Sequence, residues 1–454
     1  MTRNINRFMI TGTGSGCGKT TITCAILKAL KKRGMEVTSF KAGPDYIDPM
    51  FHSKVIGTKA RNLDIFLSGE KSVKYLLAKG SENSDISVIE GVMGNYDGIG
   101  IKDDTYSSNH LARLTGTPQI LVLETKGMSY SVLAMISGFL NFKQNNIKGV
   151  ILNNTSEKMY EYLKPAIEEN LPIRVYGYMP KIKGAVIESR HLGLITADEI
   201  DDINDKLDLL AETAEKTIDI DGLLELSKTY SSYVCSDALI DYIIPNAPTR
   251  IAIADDEAFC FKYEDNLQLL RIMGAEIIPF SPLNDEKLPE NINAVIFPGG
   301  YPELYAEKLS QNKSLKIEIK EKIVAGLPTI AECGGFMYLQ EAYKDKTGKI
   351  YEMVGAVKGE SYMTEHLVRF GYVTMKAEKD NIICKAGERL NAHEFHYSDS
   401  DNCGSDFTAE KINGKNWPAV IADETKFIGY PHVHFWGNIS CITNFYNNIK
   451  DKTF

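Results

Sequence analysis

The chain has no basic excess. Its 454 residues carry a formal net charge of −9, whereas a nucleic-acid-binding surface calls for a face rich in lysine and arginine. It has no apolar stretch approaching the roughly 20 residues that a membrane-crossing helix needs. Its opening, MTRNINRFMITGTG, lacks the charged-then-apolar layout of a signal peptide. None of its eight cysteines stands in Cys-x-x-Cys spacing, so the common sequence signatures of a zinc site or a redox dithiol are missing. Low-complexity tracts and Pro/Gly/Ser-rich blocks are missing too. These exclusions leave a soluble, cytoplasmic, globular protein with reduced thiols. Any anionic ligand has to be met by a local basic patch. Two or three domains are expected, because single cores stop growing near roughly 250–300 residues.

The first half alternates short apolar runs with helical patterns. RFMITG (7–12), EVTSFK (36–41), ISVIEG (86–91), PQILVLE (118–124), GVILNN (149–154) and RVYGYM (174–179) are continuously apolar rather than alternating. That pattern predicts strands buried on both faces of a parallel sheet. TTITCAILKALKKRG, between the first two, places Ile22, Ala25, Ile26, Ala29 and Leu30 at helical spacing, with Gly34 as its stop. A doubly wound α/β fold is expected. Residues 198–232 turn acidic and helical. A second α/β series follows in RIAIAD (250–255), AEIIPF (275–280), NAVIFPGG (293–300) and LPTIAE (327–332), and alternating β-like pieces continue from about 350. The expected domains are 1–232 and 250–454, with 233–249 as a linker.

The stretch TGTGSGCGKTT (11–21) ends the first strand and opens the first helix, the setting a phosphate-binding loop requires. Gly12, Thr13, Gly14, Ser15, Gly16, Cys17 and Gly18 would turn backbone N–H groups toward phosphate oxygens. Lys19 would reach the terminal phosphates, Thr20 is placed for Mg²⁺, and Thr21 follows as a further nucleotide-binding candidate. The strict pattern has glycine where Thr13 stands, so this is a variant with Gly12 one residue earlier. The motif predicts nucleotide binding without specifying a reaction.

Ligands of doubly wound sheets gather at the carboxyl ends of strands. KAGPDYIDP supplies Lys41, Asp45 and Asp48 there, and IEGVMGNYDG supplies Glu90 and Asp97. Nucleotide-bound Mg²⁺ takes one or two carboxylates, and Asp45 and Glu90 are the expected pair. Lys41 is suited to neutralising a transferring phosphoryl group. Asn153 either reads the nucleotide base or forms a turn.

In TIAECGG, Cys333 ends a buried apolar run between Ala331 and Gly335. Small residues flank a nucleophile elbow because the turn is tight. Gly334 and Gly300, the latter in FPGGYPE, are candidate oxyanion donors. GYPHVHFWGN offers His432 as the base that a cysteine nucleophile needs, with His434 two residues on to orient it. His393 and His396 are the other close pair; a zinc site built from the four histidines is the competing reading.

A P-loop half joined to a cysteine-elbow half has a chemical logic: one activates a carboxylate with ATP, the other frees ammonia from glutamine. In GTGSGCGKTT, FKAGPDYIDPMFH, NLDIFL, IEGVMGNYDG, GVILNN, ESRHLGL, AFCFKYEDNLQLL, FPGGYPE, ECGGFMYL and HEFHYS the chain resembles the cobyrinic acid a,c-diamide synthase family over nearly its whole length. The resemblance implies a dethiobiotin-synthetase-like P-loop domain and a class I glutamine amidotransferase domain. It implies amidation of the a and c acetates of a corrin precursor of cobalamin, with ATP and Mg²⁺. Lys41, Tyr46, Asp48 and Asp97 would lie at the reacting carboxylate or its phosphate. Arg190 and His191, helped by Lys181 and Lys183, would meet the acidic macrocycle. Related amidotransferases carry Glu two residues after the histidine, where this chain has His434. The expected partners are small molecules — a corrinoid or related tetrapyrrole, glutamine and ATP — with neither nucleic acid nor membrane, and a homodimer is one option. A nickel-sirohydrochlorin or hydrogenobyrinic acid substrate is the nearest alternative. A P-loop switch ATPase with an idle glutaminase-like module is the alternative of another class.

Overall fold

The computed structural model describes residues 2–182, 197–235 and 248–454. The chain divides into two compact units, Met1–Ile65 with Glu70–Asp237, and Phe66–Gly69 with Ala238–Phe454. The division falls inside the 233–249 segment read as a connector; the grouping of Phe66–Gly69 with the second unit had no sequence signal.

The first unit is built on a seven-stranded sheet. Its order is Lys59–Leu63, Val37–Ala42, Ile86–Glu90, Arg7–Gly12, Gln119–Glu124, Ile147–Asn153, Arg174–Met179, and every pairing is parallel. Every residue of Arg7–Gly12, Val37–Ala42 and Ile86–Glu90 is buried, as continuous apolar runs demand when helices cover both faces. The strand Lys59–Leu63 (KARNL) is not expected from sequence: it is an edge strand with an exposed, charged start, and such strands carry little hydrophobic signal. The helix Lys19–Lys32 buries Ile22, Ala25, Ile26, Ala29 and Leu30 and is followed by Gly34 at φ 77°. Helices Ala197–Thr217 and Ile220–Thr229 account for the acidic stretch.

Register does the positioning. Lys41 and Ile10 are the cross-strand partners of Glu90 on its two sides, so the carboxyl ends of three strands bring lysine and carboxylate together beside the P-loop. The turn after Glu90 docks on that loop, with Asn95 N–H donating to Gly12 O at 2.8 Å.

The second unit has a six-stranded sheet in the order Ala275–Phe280, Thr249–Ala254, Ala294–Phe297, Thr329–Glu332, Lys426–Gly429, Ile421–Ala422, parallel except at the last pair. A second sheet centres on the long antiparallel pair Glu360–Ala377 and Arg389–Ser400, and Arg389–Ser400 also pairs with the short strand His432–Val433. The core between the first sheet and its helices is apolar and fully buried, with Phe259, Phe297, Phe336 and Tyr338 at its centre. No helix among the described residues is long and apolar enough to cross a membrane.

Candidate functional site

The P-loop centre lies within the first unit. Gly18 precedes the helix at φ 97° with no side-chain cap, leaving first-turn N–H groups for an anion. Lys19 Nζ donates to Gly14 O at 3.0 Å, and burial pulls its pKa down. Gly12 is obligatory here, because a Cβ would come within 2.3 Å of Cys17 Sγ and 2.9 Å of Lys19 Cγ. Asn153 Nδ2 donates to Cys17 O at 2.9 Å. That bond braces the phosphate loop.

Thr20 Oγ1 donates to Glu90 Oε1 at 2.6 Å. The same oxygen takes Lys41 Nζ at 2.8 Å, and Lys41 reaches Asp48 Oδ2 at 2.5 Å. Burial works against the Lys41 charge, but Glu90 and Asp48 outweigh it and raise its pKa. Asp48, opposed in the same way by burial, is held below the usual carboxylate range by Lys41. Asp45 behaves differently: burial, then the charge of Asp48, pushes it up to about 7. Its Oδ1 accepts from Ile47 N at 2.8 Å.

Glu90 Oε2 is buried with no hydrogen-bond partner, 3.5 Å from the equally buried His52 Nε2. Burial keeps His52 neutral by lowering its pKa, so the ring does not cancel the carboxylate. Two buried carboxylates, Glu90 and Asp48, thus share Lys41, with the half-buried Asp45 nearby, and an acceptor oxygen stays open beside a threonine hydroxyl. This donor set fits a hard divalent cation such as Mg²⁺.

Asp97 accepts from Gly94 N through Oδ2 at 2.8 Å, and a Cβ at Gly94 would sit 3.2 Å from Thr13 O; this turn therefore lies against the P-loop. Tyr46 is buried immediately before the helix Ile47–Phe51. Ser15 is exposed and Thr21 half-buried. Arg190, His191 and Lys183 lie outside the described residues.

The second centre lies within the second unit. Cys333 follows the strand Thr329–Glu332 and precedes the helix Gly334–Leu339, at φ 47° and ψ −103°. A side-chain-bearing residue with positive φ is strained and holds there only where packing enforces it. Cys333 N–H donates to Gly429 O at 2.8 Å, and a Cβ at Gly335 would come within 2.2 Å of Phe297 O. The backbones of the two expected oxyanion donors converge, since a Cβ at Gly334 would lie 3.0 Å from Gly300 N. Gly300 itself has no room for a side chain, Ala258 O being 2.1 Å away.

His432 is the cross-strand partner of His393 and packs on Gly299, where a Cβ would meet its Cε1 at 2.5 Å. Its Nδ1 lies 3.4 Å from Glu332 Oε2. Burial opposes charging of the ring, but hydrogen bonding to Cys333 and Glu332 wins and pushes its pKa up to about 10. Glu332 also anchors the histidine strand, accepting from Val433 N through Oε1 at 3.0 Å.

His434 does not orient His432. Both its ring nitrogens are buried without a hydrogen-bond partner, its ring sits 4.9 Å from that of Tyr263, and burial pushes its pKa down to about 3. The carboxylate facing the His432 ring is Glu332, which sequence reasoning missed. The strand continues as far as Glu332, so pleat alternation aims that side chain away from its neighbours; the elbow turn at Cys333 brings the two functional groups together. The four-histidine zinc reading fails as well: His396 is tied to Glu394 Oε2 at 3.0 Å and Ser398 O at 2.7 Å, and no cluster of these histidines at metal-ligand spacing occurs among the described residues.

Residues 8–193 match the family model described as the CobQ/CobB/MinD/ParA nucleotide binding domain, and residues 250–439 match that of the CobB/CobQ-like glutamine amidotransferase domain. The cobyrinate a,c-diamide synthase of Clostridium acetobutylicum is 44% identical over 440 residues, covering 95% of this chain and 97% of that protein. The synthase of Caldanaerobacter subterraneus is 44% identical over 395 residues, covering 86% of each. That of Thermoplasma volcanium is 38% identical over 448 residues, covering 96% and 95%. With a nucleotide-binding half, a cysteine-elbow half and near-complete alignment to these relatives, the chain belongs to the cobyrinate a,c-diamide synthase family.

Proposed function

We propose that this enzyme amidates the a and c acetate carboxylates of cobyrinate through acyl phosphates, using ammonia cut from glutamine. It is a glutamine-dependent ligase of cobalamin biosynthesis that uses ATP; the division of labour among residues is our reading. At the elbow, His432 holds the Cys333 proton as an imidazolium, in keeping with its raised pKa, and the Cys333 sulfur attacks the glutamine carboxamide. Gly300 and Gly334 N–H groups receive the developing oxyanion. Collapse, with His432 handing its proton to the leaving nitrogen, expels ammonia and leaves a glutamyl thioester, which water activated by the now neutral His432 hydrolyses to glutamate and free Cys333. Glu332 keeps the His432 ring in register and stabilises its charge.

At the P-loop, backbone N–H groups and Lys19 hold the phosphates of ATP. A substrate carboxylate oxygen attacks the γ-phosphorus, and ADP leaves. Lys41 neutralises charge on the transferring group. Ammonia then displaces phosphate, forming the amide. Thr20, Glu90 and Asp45 would hold Mg²⁺, which when bound screens the phosphate charge. Arg190, His191 and Lys181 are the expected contacts for the acidic macrocycle.

The observation that carries this reading is the presence, on one chain, of a strained Cys333 with His432 and Glu332 at hand and of a carboxylate-ringed P-loop. Mass spectrometry of products from the purified enzyme, cobyrinate, ATP and glutamine should show two successive amidations. Cys333→Ser should lose glutamine use and keep amidation with free ammonia. Loss of both activities in a folded variant would refute the two-centre division. No amidation of cobyrinate, but turnover of a nickel-bearing or metal-free analogue, would reassign the substrate.

A further inference from the structure

Two cysteines that sequence spacing separates meet in the second unit. Cys384 and Cys441 are almost wholly buried and their sulfurs are 3.2 Å apart. Glu388 is half-buried, and its carboxylate lies with both sulfurs in a group whose ligand atoms are all within 4.8 Å of one another. No other such triad of histidine, cysteine or acidic ligands occurs among the described residues.

The backbone around the triad is ordered by its own hydrogen bonds. Asn381 Oδ1 accepts from Ile383 N at 3.1 Å and Cys384 N at 3.0 Å. Glu388 Oε2 accepts from Lys385 N at 2.7 Å. Cys441 lies in the first turn of the helix Ile439–Ile449, capped by Asn438, and Asn448 of that helix donates to Ile382 O at 3.1 Å. A small cavity lined by Ile383, Leu390, Asn438, Cys441 and His434 lies beside Cys441.

We propose that Cys384, Cys441 and Glu388 form a site for a thiophilic divalent cation of the zinc class. Two thiolates on one Zn²⁺ sit about 2.3 Å from the metal and so roughly 3.8 Å apart in a tetrahedron, with a carboxylate oxygen at about 2.0–2.2 Å. The sulfurs need separate by only about half an ångström to reach that spacing, whereas a disulfide would need them to close to about 2.05 Å. Two soft ligands with one hard ligand favour Zn²⁺ over Cu(I), which prefers sulfur alone, and over Mg²⁺, which prefers oxygen alone. Water completes the coordination. Binding releases the two thiol protons to solvent and changes no oxidation state. The ion would clip the 381–388 turn to the start of the helix that follows the His432–Val433 strand, and so act as a structural support of the glutaminase half.

The test is anaerobic titration of the full-length, reduced enzyme with Co²⁺, then Zn²⁺. One equivalent of Co²⁺ should give a thiolate-to-cobalt charge-transfer band that Zn²⁺ bleaches. The band should persist in Cys333→Ser and Cys403→Ser and vanish in the Cys384→Ser/Cys441→Ser double variant. Glu388→Gln should weaken binding by about 10–100-fold. Should the double variant not fold, alkylation of the unaltered enzyme decides: Zn²⁺ should slow labelling of Cys384 and Cys441, mapped by mass spectrometry, at least tenfold. No charge-transfer band, a band insensitive to these variants, or equal alkylation with and without Zn²⁺ overturns the proposal. So does a pair that closes to a disulfide under mild peroxide yet takes up no metal when reduced.

Discussion

Glu332 holds His432 with one carboxylate oxygen and its strand with the other: Oε2 lies 3.4 Å from His432 Nδ1, and Oε1 accepts from Val433 N at 3.0 Å. The acid is the residue immediately before the nucleophile. Glu332→Gln should keep the second contact, through the amide oxygen, and lose the charge facing the ring. Glutamine hydrolysis should fall by about 10²–10⁴-fold, while ammonia-driven amidation stays within about twofold. The His432 pKa should drop from its raised position, visible as a shift in the pH profile of kcat/KM for glutamine. A glutaminase rate unchanged by this substitution would remove Glu332 from the site.

His434 makes the opposite case. Its two ring nitrogens are buried without partners, and an unsatisfied buried polar group costs about 1–3 kcal/mol. His434→Leu should leave glutaminase kcat/KM within about threefold and raise unfolding stability by roughly 1 kcal/mol. Urea unfolding and steady-state assays check this pair of outcomes; a hundredfold loss of activity at intact stability would restore an orienting role.

Histidine burial gives the second unit an acid limit. Burial pushes His434 down to about 3, and burial, with the neighbouring His432 and His396, does the same to His393. Below the unfolded-state pKa of about 6.5 the unfolded chain takes up protons that these folded rings refuse. Stability is therefore full above about 6.5 and falls as pH drops toward 3, by up to about 1.4 kcal/mol per pH unit for each ring. His432 has the reverse sign: raised to about 10, it contributes fully below 6.5 and loses that contribution as pH rises through 10. Denaturant unfolding at pH 5 and pH 7 should show the acid drop, and His434→Leu should shrink it by about half.

At the P-loop, Glu90→Gln and Asp45→Asn should each lower amidation by about 10²-fold or more with either nitrogen source, and spare glutamine hydrolysis. Lys41→Met is predicted to act on the fold as well. It leaves Glu90 and Asp48 uncompensated at side-chain exposures of 0% and 7%, and breaking a buried pair in this way costs about 3–5 kcal/mol. Thermal unfolding of the first unit distinguishes this from a purely catalytic loss.

Much of this was readable from the chain. Strand cores such as ISVIE and ILVLE announce themselves by unbroken apolar runs, and the P-loop and ECGG by glycines that geometry makes compulsory. What escaped was what depends on register or on turns. Lys59–Leu63 is a polar edge. The bond from Asn153 to Cys17 O depends on the approach of two loops. His434 shares a pattern with His432 but not its surroundings. Cys384 and Cys441 are joined by tertiary packing, which no local spacing rule can report.

The position of Glu332 beside Cys333 makes the elbow an indivisible part. A one-residue slip of the strand Thr329–Glu332 would exchange its two faces and carry nucleophile and carboxylate away together. Nucleophile and carboxylate therefore depend on one and the same strand register.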